Sequence, residues 1–228
     1  MEQNLNNLLT APPQRTLSDY VADQLRQAIL VGQLKPNQRL VEEELAASMQ
    51  TSRGPIRDAL RMLENDGLVV RQSHRGAFVA ELSTKDVMEI YTLREALESL
   101  AIKFTIQNAT SDQIAELEQL VRTMEDLAKT DYNQLEATDL DIEFHRTLCH
   151  ISGHQRVLAA WEGLSAQIRL VVLKHRLRQP GDFRNRAVHF HSSIIEAIRQ
   201  RNLDKSLEEL HKHMTISVEW IIQSISET

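Results

Sequence analysis

Apolar residues recur at intervals of three and four along almost the whole chain, and this helical period breaks once, between Leu68 and Ala80. From Leu17, the positions Leu17, Tyr20, Val21, Leu25, Ala28 and Ile29 line one helix face that Gly32 can close. Leu34-Lys35-Pro36-Asn37 reads as a turn with Asn37 left-handed, and a second helix is expected from about Val41 to Ser48. Met49-Gln50-Thr51 is then a tight connection and Ser52 a candidate N-cap. Ile56, Ala59, Leu60 and Leu63 form the buried face of a third helix, with Pro55 tolerated in its first turn and Asp66-Gly67 as its stop.

The break itself has the pattern of a hairpin: Leu68 to Arg71, a polar turn around Ser73 to Gly76, then Ala77 to Ala80. Beyond Ser83-Thr84, which can cap the next helix, only helical periodicity remains. It is interrupted near Thr110-Ser111, Thr130-Asp131, Ser152-Gly153, Pro180-Gly181 and Asn202. The expected fold is mainly α: an N-terminal winged helix-turn-helix over 15–81 (three helices plus a β-hairpin wing), then an all-α antiparallel bundle of about six helices over 85–228. Residues 1–14, polar and without a period, are expected to be a mobile tail.

Seven Gly and five Pro in 228 residues are too few for a sandwich, a collagen-like repeat or long disorder. The single Cys149 cannot close an internal disulfide, and Met1 to Gln14 lack the apolar run of a signal peptide. No stretch approaches the roughly 18 apolar residues of a membrane span. A cytoplasmic protein with no membrane partner is expected.

A net charge of −6 disfavours a nucleic-acid partner if the charge is spread evenly. It is not. Between Arg53 and Arg75 five arginines face three acids, and eight of the nine histidines lie between His145 and His213. With Ile56, Ala59, Leu60 and Leu63 buried, Arg53, Arg57 and Arg61 fall at i, i+4 and i+8 on the opposite side of the third helix. A planar guanidinium can take two acceptors of guanine or clamp a phosphate. His74 and Arg75 add to this at the hairpin tip, where Gly76 permits close approach.

Gly32-Gln33-Leu34-Lys35-Pro36, Glu42-Glu43-Glu44-Leu45-Ala46, Ser52-Arg53-Gly54-Pro55-Ile56-Arg57-Asp58-Ala59-Leu60 and Arg75-Gly76-Ala77-Phe78-Val79, in that order, resemble the GntR-family DNA-binding domain. The resemblance implies that Arg53 and Arg57 contact bases or phosphates, that Ser52 and Gly54 approach the DNA backbone, and that Arg75 and Gly76 form the wing tip. Two positions depart from the family. Glu43 stands where relatives often carry Arg, and Gln50 replaces the usual Gly of the turn. These imply a shift in affinity or operator preference, not in fold.

In the second region Asp141 and His145, four apart on one helix, can reach one ion. His191 shares the inward side of a later helix with Ile194, Ile195 and Ile198, whereas His189 is turned away with Ser192 and Glu196. On the last helix His211 and His213 sit on opposite borders of the apolar stripe, and periodicity does not choose between them. One carboxylate and three imidazoles would suit a divalent cation such as Zn, Ni or Mn.

Leu93-Arg94-Glu95-Ala96-Leu97-Glu98, Asp141-Ile142-Glu143-Phe144-His145, Ser152-Gly153-His154, the run from His191 to Ile198, and Leu210-His211-Lys212-His213-Met214 resemble the all-helical effector domain of the FadR subfamily, in its metal-binding FCD form. The resemblance implies that Asp141, His145, His191 and His213 are the metal ligands and that Arg94 points to an effector pocket. His154 replaces the usual Asn after Ser-Gly.

The expected function is a ligand-responsive transcriptional regulator and not an enzyme. It would be a homodimer on a double-stranded DNA operator with two half-sites, because one winged helix alone buries little surface. The expected effector is a small carboxylic acid, able to complete the metal's coordination and pair with Arg94. Two rivals are a constitutive DNA-binding protein whose bundle only dimerises, and a metal-dependent hydrolase. The second lacks a general base, since Glu143 falls on another helix face.

Overall fold

The first described helix starts where a side chain can replace a missing backbone partner. Thr16 accepts from the Asp19 amide and Asp19 accepts from the Thr16 amide, a capping box that opens α1 (Leu17–Leu30). This is a computed structural model, and it describes residues 16–226 in two compact units that divide between Val79 and Ala80. The tail expected at 1–14 lies outside the described residues.

In the first unit α1 packs on α3 (Arg53–Asn65), with α2 (Glu42–Ser48) beside α3. The connections need left-handed backbone at Asn37 (φ 63°), Gln50 (φ 50°) and Gly67 (φ 69°). At Gln50 the strained conformation is kept by a residue with a Cβ. Ile56, Ala59, Leu60 and Leu63 of α3 are fully buried. Ser52 has N-cap backbone geometry, but its hydroxyl makes no cap hydrogen bond.

The hairpin of β2 (Val69–Gln72) and β3 (Gly76–Val79) turns through His74 (φ 60°) and Gly76 (φ 100°). A further strand, β1 (Arg39–Leu40), pairs antiparallel with β3, giving the order β1-β3-β2 with Arg39 opposite Phe78. Two residues are too short to show an alternation, so β1 was not visible as a strand in the sequence.

The second unit holds α4 (Thr84–Asn108), α5 (Ser111–Ala128), α6 (Gln134–Ile151), α7 (Gln155–Arg178), α8 (Val188–Arg199) and α9 (Leu203–Ser226). Each break carries its local chemistry. Ser83 and Thr110 form capping boxes with Asp86 and Gln113, and Asn133 caps α6. His154 caps α7, its Nδ1 accepting from the Val157 amide at 3.3 Å. A π-helical turn, Phe183–Ala187, leads directly into α8. Two arginines cover helix carboxyl ends: Arg201 donates to the carbonyls of Ile106 and Ala109, and Arg184 to those of Ala128 and Thr130.

Helix α4 packs against α6, α7 and α9, and α5 against α6 and α8. The core between them is built on Trp161, Phe144, Phe183, Leu117 and Met124. Arg94, Glu98 and Thr105 of α4 are also buried in it. Among the described residues no helix is long and apolar enough to cross a membrane.

Neighbouring positions on α3 make opposite predictions. Leu60 is fully buried and Arg61 is 67% exposed, so Leu60→Ala should cost about 2–5 kcal/mol of stability in urea denaturation while Arg61→Ala stays within about 0.5 kcal/mol.

Candidate metal centre and DNA-contact face

On α3 the buried apolar stripe forces Arg53, Arg57 and Arg61 to the outside, and all three side chains are more than half exposed. They are not unpartnered. Arg53 donates to Glu43 at 2.9 Å and lies 3.5 Å from Glu42, and Arg57 reaches the same Glu42 oxygen at 3.4 Å through both Nε and Nη2. Glu42 thus bridges the two arginines. Sequence reasoning assigned no role to it, although it stands in the acidic run beside Glu43. Exposed pairs of this kind contribute about 0–1 kcal/mol and exchange readily for other anions. Gly54 lies in the first turn of α3, and a Cβ built there would meet nothing within 4 Å. At the hairpin tip Arg75 lies over the Phe78 ring, 5.5 Å from its centroid.

The second unit brings Asp141 and His145 from α6, His191 from α8 and His213 from α9 together in its core. One ligand atom from each lies within 4.8 Å of the others, and all four residues are buried. His145 Nε2 is 3.1 Å from His191 Nε2 and 3.2 Å from His213 Nε2, while Asp141 Oδ1 is 3.4 Å from His191 Nε2. His211, its side chain 66% exposed, points away and pairs with Glu95, and His189 is exposed.

The hydrogen bonds behind the rings fix their tautomers. His145 Nδ1 is 2.6 Å from Glu98 and His191 Nδ1 is 2.6 Å from the Ala187 carbonyl. Burial disfavours the Glu98 carboxylate, but His145 and Arg94 outweigh it and hold its pKa near 2, so Glu98 only accepts. A carbonyl can only accept as well. Each Nδ1 therefore carries a proton, and Nε2 of each ring is turned toward the cluster. Burial lowers His191 to about 4 and His213 well below the usual imidazole value, which keeps both rings neutral. Burial also works against an ionised Asp141, but Arg176 and then His191 hold its carboxyl well below the usual carboxylate range.

Three imidazole nitrogens and a carboxylate oxygen turned toward one point offer four ligand atoms to a single cation. Donor atoms about 2.0–2.2 Å from one ion are themselves about 3 Å apart, which matches the spacings here. The donor set fits a borderline divalent metal.

Two groups that sequence reasoning missed support this cluster. Glu98 takes hydrogen bonds from His145, from Arg94 Nε at 2.8 Å and from Trp161 Nε1 at 2.8 Å. Arg176 of α7 donates to Asp141 at 3.1 Å. The only hint of the first was its place four residues after Arg94, and nothing in the sequence marked the second. Arg94 itself is buried, stacks on Tyr91 and lines a pocket with about 410 Å³ of empty space beside Asp141 and His213. Its Nη2, Arg176 Nε and both ring nitrogens of His175 are buried with no hydrogen-bond partner.

A helix-turn-helix with an arginine-bearing outer face and a wing, in one chain with a helical bundle built around a buried polar centre, is the arrangement of a DNA-binding regulator. Residues 17–79 match the description "Bacterial regulatory proteins, gntR family" and residues 89–215 match the FCD domain. The chain belongs to the GntR family of bacterial transcriptional regulators, among the members that carry an FCD domain.

It is 30% identical over 209 residues to the uncharacterized HTH-type transcriptional regulator YdhC of Bacillus subtilis (strain 168), covering 90% of this chain and 91% of that one. It is 27% identical to the gluconate operon transcriptional repressor of Bacillus licheniformis, covering 85% and 80%. Among solved structures, E. coli McbR/YncC superposes with a TM-score of 0.73 at 22% identity, over 92% of this chain and 99% of that one, a likeness of fold. Relatives along most of the chain are transcriptional regulators, which removes the hydrolase reading.

Glu98 offers a direct test of the centre's construction. Glu98→Leu leaves three buried donors on Arg94, His145 and Trp161 without an acceptor and should cost about 3–5 kcal/mol in denaturant unfolding. Glu98→Gln, which keeps an acceptor oxygen, should cost less.

Proposed function

We propose that this regulator is a homodimer that senses a small carboxylic acid at a divalent metal held by Asp141, His145, His191 and His213. The observation that carries the reading is the convergence of three imidazole nitrogens and a buried carboxylate on one point, beside a buried Arg94 nitrogen with no hydrogen-bond partner. Zn, Ni or Mn suits three imidazoles and a carboxylate better than Ca or Mg does. A bound ion supplies positive charge and open positions to which a carboxylate can bind. Arg94 Nη2 would donate to the same carboxylate, while Glu98 keeps both Arg94 and His145 oriented. For the acid to regulate, it must bind the DNA-competent and incompetent arrangements unequally.

At the other end, Arg53 and Arg57 would exchange their glutamate partners for base edges or phosphates. Ser52 and Gly54 would lie against the DNA backbone, and Arg75 and Gly76 would carry the wing tip into the neighbouring groove. A homodimer would present two such surfaces to a two-fold operator. The alternative, a constitutive DNA-binding protein whose bundle only dimerises, gives no role to the buried unpartnered nitrogens.

Elemental mass spectrometry should find about one divalent metal per purified chain. His191→Ala and His213→Ala should lose it, and His211→Ala and His189→Ala should keep it. An empty site in His211→Ala with a full one in His213→Ala would refute the assignment on α9.

On DNA, fluorescence anisotropy should show Arg57→Ala weakening operator binding by about 1–3 kcal/mol. Glu43→Gln should tighten binding to any duplex by up to about 1 kcal/mol and steepen the salt dependence, since it removes a carboxylate that competes with phosphate for Arg53. Light scattering should give twice the 26.1 kDa chain mass, and a monomer at micromolar concentration would contradict the dimer.

A further inference from the structure

Seven arginines are described in the first unit, and five of them have a carboxylate oxygen within 3.9 Å: Arg26, Arg53, Arg57, Arg61 and Arg71. Among the described residues Arg39 and Arg75 have none, and both lie at the wing.

Strand β1 puts Arg39 there. In the sheet register Arg39 stands opposite Phe78, and Phe78 stands opposite Val70 on the next strand. Leu40, Val69, Ala77 and Val79 are buried, so Arg39, Phe78 and Val70 form a row across the outer face of the sheet. Arg39 is exposed and leans toward the hairpin tip, where a Cβ at position 76 would stand 3.7 Å from its Nε and 3.9 Å from its Nη2. The Arg75 guanidinium lies over the ring in the middle of that row, 5.5 Å from the Phe78 centroid.

Two cations gathered around one ring without an acid repel each other, and an anion between them turns the repulsion into attraction. On α3 the same charge is balanced by Glu42 and Glu43; at the wing it is left for a partner. DNA offers a wing two anionic surfaces. One is an isolated phosphate, which a lysine serves as well. The other is the minor groove, where the negative potential deepens as the groove narrows over A·T tracts and draws arginine in. A guanidinium is more weakly hydrated than an ammonium and loses less on entering a narrow groove, and glycine at the tip puts no side chain in the way. Two arginines on a narrow tip fit the groove.

We propose that Arg39 is a DNA-contact residue which, with Arg75, makes the wing a two-arginine fork for the minor groove and gives this regulator a preference for A·T pairs flanking its half-site. This extends the DNA-contact reading above and rests on it.

The test starts from a pool of random duplexes selected on the full-length protein. Duplexes kept by the wild type should share a motif with A·T pairs beside it, and those kept by Arg39→Ala should share the motif without the flank. Two duplexes that carry the selected motif and differ only in A·T or G·C flanks are then compared by fluorescence anisotropy. The wild type should prefer the A·T flank several-fold. Arg39→Ala should lose more on the A·T duplex, until both are bound alike, with a salt slope smaller by about one; Arg39→Lys should keep the slope and lose most of the preference. Thermal unfolding of both variants should match the wild type, because β1 pairs through its backbone; if Arg39→Ala unfolds earlier, Arg39→Lys carries the comparison. A wild type without flank preference, or variants that keep the wild-type preference or lose equally on both duplexes, would overturn the inference. Arg57→Ala, measured alongside, separates the two levels. If it binds like the wild type, the DNA-contact reading of α3 falls; if it binds weakly while Arg39→Ala is unchanged, only the fork falls.

Discussion

Glu98 has no contact with solvent, yet it is ionised and takes donors from three helices: Arg94 on its own α4, His145 on α6 and Trp161 on α7. A buried carboxylate is costly unless each of its lone pairs is used, and here the partners are themselves groups that need an acceptor. The bundle cannot shift one of these helices without breaking a charge-assisted bond in a low-dielectric interior. That network holds the His145 ring, and with it Nε2, in one orientation. Arg176 and the Ala187 carbonyl do the same for Asp141 and His191. The centre is thus supported from α4, α7 and the π-helical turn, elements that contribute none of its four converging atoms.

The arginine face of α3 obeys the opposite physics. Its charges are exposed, its ion pairs with Glu42 and Glu43 are weak and exchangeable, and its precision comes from the packed side of α3. Most of the net charge of −6 belongs to the residues after Leu82, which is how so acidic a chain can belong to a DNA-binding family. The basic character is local, and part of it is satisfied internally until a stronger anion arrives.

Most element boundaries were legible because each break carries its own chemistry: Ser83 and Thr110 as caps, and Gly32, Asn37 and Gly67 at left-handed positions, whereas the α6 cap is Asn133, two residues past the expected break at Thr130-Asp131. The wing showed as a change of period. What could not be read depends on packing between elements. Strand β1 is defined only by its pairing with β3. Glu98 and Arg176 are charged residues on helices buried on several sides, where a helical wheel places charge in solvent by default. His211 and His213 border one stripe, and only the positions of α6 and α8 relative to α9 make His213 the inward one.

One nitrogen sets the four residues of the centre apart from each other. Asp141 is held by Arg176, His145 by Glu98 and His191 by a backbone carbonyl, but His213 Nδ1 is buried with nothing behind it. Three of the converging atoms are therefore oriented before anything binds, and the fourth is steered by packing alone. The ligands on α6 and α8 are thus held from behind, and the one on α9, a helix of 24 residues and about 36 Å, is held by its packing.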